Sequence, residues 1–69
     1  MSEPLLNRIK SVLADKNISS KTLAGKLDVS EQTVSGWCTN SKQPSLKTLY
    51  EIAKYLKIDI RDLLVSTQW

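Results

Sequence analysis

Histidine is absent from the sequence, and cysteine occurs once, at Cys38. Without an imidazole there is nothing of the usual kind to activate that thiol, and one sulfur with no histidine cannot build a four-ligand zinc site. A lone cysteine also cannot close an internal disulfide, which excludes the staple of small secreted domains and fits a reducing compartment. Glycine and proline occur only twice each, too few for a disordered low-complexity chain, and no glycine-rich phosphate loop is present. No apolar run approaches the roughly 18 residues of a membrane span, and the N-terminus lacks the basic, apolar and small-residue layout of a signal peptide. The expected location is cytoplasmic. With no paired carboxylates on a recognisable site either, neither metal nor cofactor is expected and an enzyme is the weakest reading.

What remains is an ordinary globular composition, 41% hydrophobic and 25% charged over 69 residues. A chain of this length can bury one small core, so residues 1–69 are read as a single domain. The net charge is a mild +3, but residues 1–49 carry seven basic and four acidic side chains, while residues 50–69 carry three of each. The whole excess therefore lies in the first part, a distribution that suits a polyanionic partner.

Apolar residues recur at helical spacing in five places, and nothing alternates as a strand would, so the fold class is all-α. The first predicted helix runs from Pro4 to Lys16, with Pro4 in its first turn after Ser2 and Glu3, an apolar face of Leu5, Leu6, Ile9, Val12 and Leu13, and a stop at Asn17. Ser19 or Ser20 can cap a second helix of about two turns bearing Leu23, Ala24 and Leu27. Asp28 then stands where a chain leaving a helix often turns left-handed. Ser30 caps a third helix over Glu31 to Cys38, whose early acid suits the helix dipole. Thr39 to Pro44, "TNSKQP", reads as a polar loop that Pro44 closes. Ser45 caps a fourth helix with a stripe of Leu46, Leu49, Ile52, Ala53 and Leu56 and with Lys57 near its end. Asp59 and Asp62 open a fifth, short one carrying Ile60, Leu63 and Leu64.

On the third helix Val34, Trp37 and Cys38 share one face by their spacing of three and four, and should point inward. The rest, Glu31, Gln32, Thr33, Ser35 and Gly36, form a face of small or hydrogen-bonding groups with no large apolar residue. An ordinary solvated face would carry Lys, Glu and Arg throughout. This one is shaped to approach something polar.

The segment "LAGKLDVSEQTVSGW", Leu23 to Trp37, resembles the Cro/repressor-type helix-turn-helix family of lambda-repressor-like, XRE-like DNA-binding domains. The resemblance rests on Leu23, Ala24 and Leu27 in the first helix of the motif, which spans about residues 20–38, and then on Val29, Ser30, Thr33, Val34, Ser35 and Trp37. It continues through "WCTNSKQPSLKTLYEIAKYLKID" and covers the chain from about Leu6 to Leu64, implying a compact bundle of five short helices. One departure is Asp28, where the family usually has glycine. Ala24 has to be small where two helices cross, and Val34 and Trp37 fill the wedge between them, so these are read as fold residues.

The resemblance implies that the third helix enters the major groove of double-stranded DNA with its N-terminal part nearest the base edges. That gives the reading role to Glu31, Gln32, Thr33 and Ser35, with Gly36 allowing close approach. Gln32 is the foremost reader, because an amide pairs with the N6 and N7 groups of adenine; Glu31 can accept from cytosine N4, or can serve only to start its helix, and Thr33 can set its methyl against thymine. Ser19, Ser20, Lys21, Thr39, Asn40, Ser41, Lys42 and Gln43 are the phosphate-contact candidates, with capping as the competing role of Ser19 and Ser20 and simple solvation that of Lys42. A repressor-like regulator would act as a homodimer on a two-fold symmetric operator, joined through Ile58, Ile60, Leu63, Leu64, Val65 and Trp69. The competing class is an antitoxin or accessory module, in which the helices contact a protein partner and DNA is secondary.

Overall fold

A computed structural model describes residues 5–69. It places four α-helices in order, α1 (Ile9–Lys16), α2 (Ser20–Leu27), α3 (Glu31–Cys38) and α4 (Leu46–Leu56), followed by one turn of 3-10 helix at Ile60–Leu63. Among the described residues there is no strand, only an isolated antiparallel bridge between Asn7 and Leu64. No described helix is long and apolar enough to cross a membrane.

One device starts three of the helices. Ser19, Ser30 and Ser45 each have extended backbone, and each hydroxyl accepts from the backbone N–H of the threonine three residues on, at 3.1 Å in all three cases. One otherwise orphaned amide per helix is satisfied in this way. Helix ends follow a second rule. Asn17, Asp28 and Lys57 terminate α1, α2 and α4 in the left-handed region, with φ of 59°, 58° and 58°. Asn and Asp tolerate that conformation; Lys57 bears its cost and sets a positive charge at the negative end of α4.

The first helix begins at Ile9, so residues 5–8, which the periodicity places inside it, are not helical. Leu5 and Leu6 do not join the core face; they are 68% and 50% exposed. The side-chain oxygen of Asn7 takes the N–H of Ile9 at 3.0 Å, which starts the helix there. The chain before it lies alongside the C-terminal segment, with the N–H of Arg8 donating to the carbonyl of Leu63 (2.8 Å) and that of Val65 to the carbonyl of Leu6 (3.2 Å). An amide engaged across the molecule is not available to a helical ladder. The first-turn assignment of Pro4, after Ser2 and Glu3, lies outside the described residues.

Two further expectations are corrected. Leu46 is 74% exposed, so the buried stripe of α4 begins at Leu49 and continues through Ile52, Ala53 and Leu56. The fifth helix is a single 3-10 turn, because the Asp59 carboxylate caps it from the N–H of Arg61 at 2.8 Å and Leu64 leaves at once for its bridge with Asn7. Hydrogen bonds from the Arg61 side chain and backbone hold the Asp59 carboxyl below its usual range. The core gathers Ile9, Val12 and Leu13 from α1, Leu23 and Ala24 from α2, Val34 and Trp37 from α3, the α4 stripe, and Leu63, which is fully buried.

Candidate nucleic-acid interface

The turn between α2 and α3 is three residues long. Asp28 adopts φ 58° and ψ 44°, its N–H and that of Val29 both return to the Ala24 carbonyl, and Ser30 then caps α3. Ala24 is 4% exposed where α2 meets α3, and Val34 and Trp37, at 0% and 5%, fill the space behind it. Cys38 is half-buried, its sulfur 3.9 Å from the Ser20 hydroxyl. The apolar side of α3 is therefore entirely occupied by the fold, and the side left over is the polar one.

Of the five base-reading candidates, Glu31, Gln32 and Ser35 are exposed, while Thr33 and Gly36 are half-buried. The Thr33 hydroxyl lies 2.8 Å from that of Ser30, inside the cap, which leaves its methyl as the group free for contact. Gly36 has an intramolecular reason to be glycine. A Cβ there would meet the stem of Lys42 at 3.3–3.4 Å, and its carbonyl accepts the N–H groups of Ser41 (3.0 Å) and Lys42 (3.1 Å). Close approach inside the protein, by the returning loop, is what the missing side chain permits.

The eight phosphate candidates fall into three groups. Lys21, Ser41 and Lys42 are exposed, as are Ser19, Thr39 and Gln43, and the Ser41 hydroxyl donates to the Gly36 carbonyl at 3.3 Å. Ser19 is the cap of α2, Ser20 is half-buried, and the Thr39 hydroxyl bonds back to the carbonyls of Ser35 and Gly36 at 3.2 Å. Asn40 is 5% exposed and turned inward, so its amide belongs to the interior and not to a surface that could face phosphate. Gln43 is exposed, but its amide is engaged by the same residues, accepting from Asn7 at 2.8 Å and donating to the Asn40 side chain at 3.2 Å.

Asn7 is the residue that sequence reasoning missed. It falls inside the predicted range of the first helix, although Asn disfavours helix interiors and favours their starts, which is the available signal. In the fold it is 6% exposed and bonds to the carbonyl of Trp37 at 3.0 Å. Among the described residues no group of three or more side chains could hold a metal, and no pocket is present. The candidate interface is a surface.

Residues 8–68 match the Cro/C1-type HTH DNA-binding domain. An uncharacterized HTH-type transcriptional regulator of Methanocaldococcus jannaschii is 36% identical over 59 residues, which is 86% of this chain and 89% of that protein. The crystal structure of a candidate DNA-binding protein from Bacteroides fragilis matches with a TM-score of 0.86 at 47% identity, covering 87% of this chain and 97% of that one. The capped turn at Asp28, the small Ala24 at the helix crossing and the buried Val34 and Trp37 thus form a helix-turn-helix, and the chain belongs to the Cro/C1-type HTH DNA-binding domains.

Proposed function

We propose that the protein is a sequence-specific, repressor-like regulator of transcription that sets α3 into the major groove of double-stranded DNA. The observation that carries this reading is the division of α3, whose apolar side is consumed by Val34 and Trp37 while Glu31, Gln32 and Ser35 stay exposed on its first two turns. In the family's geometry the N-terminal part of that helix lies nearest the base edges, and Gln32 has the amide that pairs with adenine. Lys21, Ser41 and Lys42 are then placed as phosphate contacts before and after α3, setting register without reading sequence.

One such domain reads few base pairs, so two copies on a two-fold symmetric site would supply useful affinity. Leu63 is spent in the core, which leaves Leu64 (42% exposed), Val65 and Trp69 (108% exposed) as the apolar groups that a second copy would cover, with Ile58 and Ile60 half-buried beneath. A second reading, docking to a protein with DNA binding secondary, draws on Leu46 and Tyr50, which are 74% and 59% exposed one turn apart on α4.

Selection of bound sequences from random duplex DNA tests the proposal. Enrichment of a two-fold symmetric site is the expected result. Recovery of unenriched DNA would leave the protein-docking reading standing in its place.

A further inference from the structure

The stretch Thr39–Gln43 has no apolar residue to bury, yet it turns through a left-handed Asn40, φ 61°. Something other than apolar packing holds it. The Asn40 side-chain oxygen accepts from the N–H groups of Leu6 (2.8 Å) and Asn7 (3.0 Å), and its NH2 donates to the Asn7 carbonyl at 3.2 Å. The Asn7 NH2 in turn donates to the Trp37 carbonyl at the end of α3 (3.0 Å) and to the Gln43 side-chain oxygen (2.8 Å). Every buried side-chain nitrogen and oxygen among the described residues has a partner, so this is a fully satisfied network, the kind that fixes one geometry because any shift leaves a desolvated group unpaired.

The network lies beneath the loop and reaches it from more than thirty residues away in sequence. On the other side of the loop are Ser41 and Lys42, exposed, their N–H groups tied to the Gly36 carbonyl and the Lys42 stem laid over Gly36. We infer that Asn7 is a positioning residue for DNA binding: through its bonds to Trp37 and Gln43 it fixes the loop that presents Lys42 to the phosphate backbone. The inference rests on the DNA-binding reading above. Asn7 itself touches no DNA, being buried, and acts through the loop.

Asn7→Ser separates this role from the start of α1. A serine hydroxyl still accepts from the Ile9 N–H as a cap does, but it is too short to reach the Trp37 carbonyl or Gln43. Binding of mixed-sequence duplex DNA by the parent, Asn7→Ser, Lys42→Ala and the double variant is measured against salt concentration, below each protein's melting transition. Asn7→Ser should lower the magnitude of the log K against log salt slope by about 0.9, the value for one lost phosphate contact. Lys42→Ala should do the same, and the double variant should lose no more than either. Exchange of the Ser41 and Lys42 amides should quicken in Asn7→Ser, with the amides of Val12 and Ile52 unchanged. A folded Asn7→Ser protein that keeps the parent's slope, or whose loss adds to that of Lys42→Ala, overturns the inference alone. A parent with no salt-dependent binding overturns the DNA reading and takes the inference with it.

Discussion

Two regions of this small domain are held rigid by opposite means. Where α2 crosses α3 the contact is apolar and close, with Leu23, Ala24 and Val34 each at 4% exposure or less. Where the loop after α3 meets the N-terminal segment, the contact is made of the amides of Asn7, Asn40 and Gln43. Apolar packing is non-directional and tolerates small adjustments, while a buried amide network holds only in the geometry that satisfies it. The first kind of contact fits a helix pair that must stay together, and the second fits a short polar loop that must stay in one place.

Trp37 belongs to both regions, its indole in the crossing and its carbonyl in the network, and it offers the strongest way to break the comparison. Trp37→Ala should cost about 3–5 kcal/mol, because it removes a large, 5% exposed side chain and leaves a cavity, while the carbonyl bond to Asn7 depends on backbone alone. In a domain with a stability of order 5 kcal/mol that would unfold much of the population. Thermal melts by circular dichroism, run beside a DNA-binding assay, check it. A variant that melts like the parent and yet fails to bind would make Trp37 a contact residue.

Next in size is Asn40. Asn40→Ala strands the amides of Leu6 and Asn7 and the Asn7 carbonyl and puts a Cβ-bearing residue without a polar side chain at φ 61°, for a loss of about 2–4 kcal/mol. Asn40→Gly loses the same bonds but relieves the backbone, so it should be less damaging by about 1 kcal/mol. Denaturant titration of both variants separates the two contributions. A loss below about 0.5 kcal/mol for Asn40→Ala, the range of an ordinary surface change, would mean that the amides do not hold the loop.

The two regions also differ in how far the sequence discloses them. Leu23, Ala24 and Leu27 in α2, and Val34, Trp37 and Cys38 in α3, recur at three and four residues, and Ser30 marks where α3 begins, so local rules recover the helix-turn-helix and its exposed face. The amide network obeys no period. Asn7 and Asn40 are thirty-three residues apart, and each alone is indistinguishable from a turn or surface residue; only the path of the chain brings them together. Long-range pairing of the same kind cut the first helix short, since the amide of Arg8 bonds to Leu63, and it turned the Asn40 amide from the expected DNA face into the interior, with the exposed Gln43 bonded to it. Leu5, Leu6 and Leu46 fit the helical period by spacing yet stay exposed, because periodicity reports which residues could share a face and not whether another element covers it.

A smaller effect is expected on the reading face, which neither region buries. Gln32→Ala removes an exposed amide and no charge, so it should weaken binding to the selected site by about 1–3 kcal/mol and leave mixed-sequence binding nearly unchanged. Its melting temperature should match the parent's. Equal loss on both kinds of DNA would take Gln32 out of the reading role while leaving the fold argument untouched.

The smallest effects come from the two glycines, one in each region and both inside helices with negative φ. Gly25 lies on the exposed side of α2, and a Cβ added there meets nothing within 4 Å. Gly25→Ala should therefore collect the helix-propensity difference with no steric charge against it, about 0.5–1 kcal/mol, seen as a rise of roughly 3–6 °C in melting temperature. Gly36→Ala gains the same propensity, but its Cβ lands 3.3 Å from the Lys42 Cδ and 3.4 Å from its Cβ and Cγ. Were Lys42 held only by solvent, its stem would swing aside and both variants would gain alike. Its backbone N–H is tied to the Gly36 carbonyl, which holds the Lys42 Cβ in place, so only the outer stem can turn away and Gly36→Ala should gain less than Gly25→Ala. Parallel calorimetric melts of the two variants decide between these outcomes: an equal gain at both positions would show that the Lys42 stem turns aside freely and that Gly36 is not glycine on its account.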